Sequence, residues 1–271
     1  MPPLTSVQKA AVRQFVDITG ANDKTAQKFL RDHRYRTEAA VDAYLTAGSA
    51  DNGRVSAIEK VYDDLINTER GDTRETLSTE TTIEYLQTLD VSLENAEQFV
   101  VMELVKAPAV GEISRQGFVD GWQATGLTSF SASQQKKHVR SLVNSLATDP
   151  AYFKRVYRHA FIAGKEAQQK ALLVDHAMVF WKLLFSPPGR PWVTPKHDWG
   201  ALWEDFIKSK WTRSVNKDMW NQVLEFAQKT MADEDLTFYS DQDAWPGVID
   251  EFVVFYYQLY PKEDKDKMVE D

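Results

Sequence analysis

The chain has no cysteine among its 271 residues, which excludes disulfides, thiolate metal sites and a cysteine nucleophile. It also lacks a long apolar run. No stretch approaches the roughly 18 continuous apolar residues of a spanning helix, so no membrane segment is expected. The first residues, MPPLTSVQKAAVRQF, have no apolar core of the signal-peptide kind, and residue 2 is not the glycine of a myristoylation site. Positive charge is in deficit: 32 Lys/Arg stand against 40 Asp/Glu, for a net charge of −8 and a pI near 5.3. Phosphate backbones need clustered cations, so nucleic acid is not an expected partner. The expected location is the cytoplasm, the nucleus or both.

Catalytic signatures are missing as well. The five histidines, His33, His138, His159, His176 and His197, are scattered, with neither HExxH nor GxSxG around them. No glycine-rich loop opens a helix to cradle phosphate. The carboxylates of Glu204 and Asp205 are adjacent, so on a helix they diverge and do not form an acid/base pair. The expectation is no catalytic residue, no cofactor and no metal.

What is present is a helical pattern. Apolar residues make up 43% and aromatics 12%, enough for a packed globular protein. Residues 1–46 read as a small three-helix bundle. Its first helix is capped by Ser6 and ended by Gly20, its second is capped by Asn22 or Asp23, and its third by Thr37. Thr19–Gly20–Ala21 and Tyr44–Leu45 are expected to form an exposed apolar patch on it. Residues 47–55, containing AGSADNGR, read as a small-residue linker. Residues 56–262 read as one larger helical domain that holds all eight tryptophans, and 263–271 as a charged tail. Helices are expected near Ser133–Thr148, Pro150–Glu166, Leu173–Phe185, Trp199–Lys208, Lys217–Met231 and Trp245–Leu259, with a proline-rich loop between Phe185 and Trp199. Period-two alternation is absent, so the fold class is all-α with at most two-residue strand bridges.

Between Met231 and Tyr260 lie seven acidic residues and no Lys or Arg. Aromatic anchors, Trp245 and Phe252, stand among them. A calcium loop starting at Asp241 fails. Its fifth and sixth positions are Trp245 and Pro246, and the twelfth, where a bidentate Glu is required, is Phe252. The stretch therefore reads either as a solvated helix end or as a docking surface for a basic partner.

Several segments taken together resemble the defective in cullin neddylation family. Gln8–Leu45 looks like its ubiquitin-associated domain. FWKLLF (Phe180–Phe185), NKDMW (Asn216–Trp220) and AWPGVIDEF (Ala244–Phe252) look like its C-terminal potentiating-neddylation domain. The resemblance implies two EF-hand-like halves that bind no calcium, and a scaffold-type ligase without catalytic residues. Such a scaffold holds a cullin beside the N-terminally acetylated conjugating enzyme and promotes transfer of the ubiquitin-like modifier. It implies an acidic cullin-binding patch at Asp218, Ala244 and Asp250, facing the cullin's C-terminal winged-helix region. It also implies an acetyl-Met pocket at Ile113, Phe180, Leu183, Val101, Val105 and Ala163. The rival reading is a ubiquitin-binding adaptor in which residues 1–46 carry the function and the helical domain only docks a basic partner.

Overall fold

Residues 4–166, 168–240, 242 and 245–261 are described by a computed structural model, the side chains of 49–51 excepted. The chain divides into two compact units, residues 1–61 with 128–130, and 62–127 with 131–271.

The first unit is built on α1 (Ser6–Thr19), α2 (Asp23–Asp32) and the start of α3 (Thr37–Leu65). Thr5, one residue before the expected cap, accepts from the Gln8 N–H, and the Gln8 side chain accepts from the Thr5 N–H in return. This is the reciprocal capping box that a Thr-x-x-Gln spacing makes available. Gly20 ends α1 in the left-handed conformation (φ 68°), and Asn22 caps α2. Phe15, Ala26, Leu30 and Ala40 are fully buried between the helices, and the rings of Phe15, Phe29 and Tyr44 pack together. Two residues of the expected exposed patch therefore belong inside: Ala21 is buried and Tyr44 faces the core. Ile18 and Leu45 remain exposed. Residues 47–55, read from composition as a linker, are helical: α3 is one 29-residue helix. Its small polar residues disfavour burial but do not forbid helix, and no proline interrupts them.

The second unit repeats one arrangement twice. In the first half a loop follows α3, and β1 (Thr76–Leu77) leads into α4 (Thr79–Thr88). Further on, α5 (Glu97–Leu104) is followed by β2 (Ile113–Ser114) and α6 (Arg115–Ala124), and the strands pair antiparallel. In the second half α8 (Pro150–Gly164) leads through β3 (Ala171–Leu172) into α9 (Val174–Leu184). Then α10 (Trp199–Lys210) leads through β4 (Val215–Asn216) into α11 (Lys217–Ala232), with β3 paired to β4. Helix–loop–strand–helix pairs joined by a two-residue bridge are the geometry of paired EF-hands. Between the halves runs α7 (Ala132–Thr148), and α12 (Gly247–Leu259) packs on α10 and α11.

The first loop is held by a carboxylate instead of a cation. Asp72, 5% exposed, accepts from the backbone N–H of Asn67 at 2.7 Å and of Ser78 at 2.6 Å, and from the Thr81 hydroxyl at 2.7 Å. Burial alone would raise its pKa, but the hydrogen bonds outweigh that and bring it down to about 2. In the same half α6 lies hard against the end of α5. A Cβ on Gly117 would stand 2.2 Å from the Val105 carbonyl oxygen, and one on Gly121 2.0 Å from that of Leu104.

In the second half a chain of aromatic hydrogen bonds ties α8, α9 and α11 together. Trp181 Nε1 donates to the Tyr157 hydroxyl at 2.8 Å. That hydroxyl donates to the Trp220 carbonyl at 2.8 Å, and Trp220 Nε1 donates to the Tyr157 carbonyl at 2.9 Å. The rings of Trp181 and Trp220 stack at 5.3 Å. Burial pushes the Tyr157 phenol well above its usual value, so it stays a donor. Buried indole and phenol groups with partners lock three helices in one register.

Candidate functional site

The two acids that the structure describes in the expected patch owe their positions to the residues after them. Asp218 precedes fully buried Trp220 by two positions on α11, and Asp250 precedes fully buried Phe252 by two on α12. Two residues on a helix turn the chain through about 200°. Each aromatic ring that enters the core therefore turns its acid outward: Asp218 is exposed and Asp250 half-buried. Both lie at the N-terminal ends of their helices, where the helix dipole favours negative charge. Asn216 caps α11 by accepting from the Met219 N–H at 2.8 Å. Ala244 lies outside the described residues, as do Asp241 and Asp243.

Three residues that sequence reasoning missed act on Asp250 or on other acids of the same stretch. Tyr239 donates its hydroxyl to Asp250 Oδ1 at 2.7 Å. Arg213, stacked 3.9 Å over the Trp211 ring, pairs with Glu251 at 3.3 Å. Lys196 pairs with Asp235 at 2.8 Å and with Glu234 at 3.7 Å. Asp233 is turned inward on its own loop, accepting from the Thr237 hydroxyl and the Phe238 N–H, and the Thr237 bond first of all holds its pKa down. The stretch that carries no cation along the sequence is thus partly neutralised in space. Trp245 and Phe252 support the surface: Phe252 is in the core, and half-buried Trp245 packs edge-on against Phe226 at 5.8 Å.

The six pocket residues come from elements that pack on one another. Val101, on α5, and Val105, which caps its C-terminal end, lie one turn apart and are fully buried. Helix α5 packs on α8, which carries Ala163 near its end. Phe180, on α9, meets the Phe99 ring of α5 at 4.8 Å and lies against Gly164, where an added Cβ would come within 2.3 Å of it. Leu183 follows one turn later and is half-buried. Ile113, in β2, has a carbonyl that accepts from the Tyr62 hydroxyl at 3.2 Å. Two bonds tie the loop from Lys106 to Gly111 to α8: the Val110 N–H donates to the Ala163 carbonyl at 2.9 Å, and His159 Nε2–H donates to the Ala107 carbonyl at 3.1 Å. Burial, then the charge of Lys106, lowers the His159 pKa, which favours the neutral ring with its one N–H on Nε2. Exposed apolar residues adjoin the set. Val110 reaches it through its backbone bond, Ile162 precedes Ala163, and Val179 precedes Phe180. Among the described residues no group of three or more acidic or histidine side chains could hold a metal ion, and no helix is long and apolar enough to cross a membrane.

Comparison with known proteins finds family models for two stretches of the chain. A family model described as cullin binding matches residues 134–255, which contain Asp218 and Asp250. A UBA-like domain model matches residues 9–51. A protein of Pyricularia oryzae named "Defective in cullin neddylation protein 1" is 43% identical over 264 residues, covering 93% of either chain. Its namesake in Yarrowia lipolytica is 30% identical over 90% of this chain and 95% of its own. The Bos taurus protein "DCN1-like protein 5" is 29% identical over 62% of this chain and 66% of its own. With a UBA-like domain followed by a cullin-binding domain, and with relatives aligned over nearly its whole length, this chain belongs to the defective in cullin neddylation family.

Proposed function

We propose that this protein is a scaffold-type ligase. It binds a cullin and the N-terminally acetylated neddylation conjugating enzyme and promotes transfer of the ubiquitin-like modifier to the cullin, with no catalytic residue of its own. The observation that carries this reading is the outward aim of Asp218 and Asp250 from two helix starts held rigid by Trp220 and Phe252. Two fixed carboxylates suit the basic winged-helix region of a cullin, and Ala244 is the third member of this patch.

The apolar set receives the acetylated N-terminal Met. Val101, Val105, Ile113 and Ala163 form its floor and Phe180 and Leu183 its rim, with Val110, Ile162 and Val179 available to the residues that follow the Met. An acetyl group removes the ammonium charge, whose desolvation in such a floor would be costly. Catalysis is then proximity: one partner is held beside the other at raised effective concentration.

An in vitro cullin neddylation assay with and without the protein tests the reading. Modifier transfer should accelerate in its presence and return to the basal rate with the Asp218→Arg/Asp250→Arg double variant. Undiminished cullin affinity of that folded variant in a calorimetric titration would sink the patch assignment. Equal affinity for acetylated and free-amine conjugating-enzyme peptides would sink the pocket assignment. The UBA-like match and the exposed Ile18 and Leu45 favour a further role of the first unit in binding ubiquitin or a ubiquitin-like modifier. Loss of neddylation stimulation when ubiquitin binding alone is removed would favour the adaptor reading over the scaffold.

A further inference from the structure

The second helical half holds a cavity of about 480 Å³ apart from both regions above. Its walls are apolar: Phe153 from α8, Phe185 and Trp192 from the proline-rich loop, and Leu224, Ala227 and Met231 from α11. This volume lies within the range of about 300–1,000 Å³ common to ligand pockets. One charged residue lines it, Arg190, and no Asp or Glu does. The Arg190 guanidinium makes no ion pair among the described residues, and its Nη1 is buried without a hydrogen-bond partner.

The wall that carries this cation is built to hold still. The Arg190 N–H donates to the Leu184 carbonyl at 3.0 Å, and the N–H of Trp192 to that of Phe185 at 3.3 Å. Trp192 Nε1 donates to the Thr230 hydroxyl on α11 at 2.7 Å. Gly189 lies so close to the end of α9 that a Cβ would stand 2.1 Å from the Leu184 carbonyl oxygen. The loop backbone is thus bonded to α9 and its indole to α11, with a half-buried cation in the wall of an apolar cavity. Arg190 as a whole is half-buried, a guanidinium nitrogen left without a partner is destabilising, and a carboxylate has the geometry to pair with the guanidinium.

We infer that this cavity is a docking site for a protein segment that presents a bulky apolar side chain next to a carboxylate, the side chain filling the apolar walls and the carboxylate pairing with Arg190. Charge complementarity selects the acid: the lining carries only positive charge in a chain whose net charge is −8. The exposed Gln228 on the rim selects a peptide over a free alkyl carboxylate. Its amide can both donate to and accept from a peptide backbone, and an alkyl chain offers it nothing.

The test is calorimetric titration of the full chain with Ac-Glu-Leu-Phe-Glu-NH2 and with its uncharged twin Ac-Gln-Leu-Phe-Gln-NH2, and a third titration with octanoate. The acidic peptide should bind at least ~10-fold tighter than the amide twin and shift the methyl signals of Met231 and Leu224. Arg190→Gln, with its fold checked by circular dichroism and its stimulation of cullin neddylation unchanged, should erase that preference. Gln228→Glu, on an exposed position, should weaken the acidic peptide and leave the twin unaffected. Equal affinities of the two peptides for the unaltered chain, binding of octanoate but of neither peptide, or an acid preference that survives Arg190→Gln would each overturn the proposal. Because cullin neddylation is read separately, a failure here leaves the scaffold reading untouched, and the reverse holds too.

Discussion

The residues of the proposed acidic patch and those of the proposed apolar pocket sit in the same helical unit and are built in opposite ways. The patch displays its residues: Asp218 is exposed and Asp250 half-buried, and each is aimed outward by a buried ring two positions on. The pocket hides its residues: Val101 and Val105 have no exposed surface, and Phe180 has 9%. Binding and folding are therefore separable in the patch and entangled in the pocket. A changed patch acid leaves the core intact, whereas a changed pocket residue is also a changed core residue.

The largest effect on folding should come from the pocket. Phe180→Ala removes a ring that packs on Phe99 and Gly164 and should cost about 3–5 kcal/mol in a urea unfolding titration. It should weaken the acetylated peptide at the same time. If stability fell by less than ~1 kcal/mol while peptide binding vanished, the two functions of this residue would be separable and the contrast with the patch would fail.

The next effect concerns an acid that faces inward. Asp72 holds the first loop through three hydrogen bonds, and its pKa is brought down to about 2. A carboxyl whose folded pKa is depressed stabilises the fold above its unfolded value. That stability, about 2 kcal/mol, is lost as pH falls from near 4 to near 2. Asp72→Asn should remove it at neutral pH and flatten the acid limb of stability measured against pH. An unchanged acid limb would show that the loop does not depend on this carboxylate.

Asp218→Arg should cost about 0.5–1 kcal/mol of folding stability through the helix dipole, and Asp250→Arg about 1–2 kcal/mol because it also loses the Tyr239 hydrogen bond, while each weakens cullin binding by about 2 kcal/mol or more. Calorimetric binding set beside thermal unfolding gives both numbers. A variant whose stability fell as far as that of Phe180→Ala would make the patch as entangled with the core as the pocket is.

How far each region could be read in advance follows from the same contrast. The helices of the second unit were legible because their apolar residues recur at helical spacing between clear breakers. Expected Lys217–Met231 and observed Lys217–Ala232 differ by a single residue. The helix through 47–55 was not legible, because Gly48, Ser49 and Gly53 carry the composition of a linker and only the flanking helix overrides it. The patch acids stood out as charge in the sequence. The cations that answer their neighbours did not, since Lys196 and Arg213 lie 38 or 39 residues away along the chain. The pocket had no signal of its own, because a valine lining a pocket floor and a valine in a core have the same spacing. Family resemblance was what marked it.

The smallest effect tests a cation that pairs beside the proposed patch. Arg213 pairs with Glu251, the residue after Asp250, while its guanidinium stacks on Trp211. Both partners are largely exposed, so the pair contributes at most about 1 kcal/mol and little to folding. It does place a positive group where a basic partner must approach. Arg213→Ala should therefore strengthen cullin binding by up to about fivefold at low salt, with the gain shrinking as ionic strength rises. Patch acids that work by direct pairing predict this sign. A loss of affinity would mean instead that Arg213 touches the cullin itself, and that the patch is a mixed-charge surface and not an acidic one.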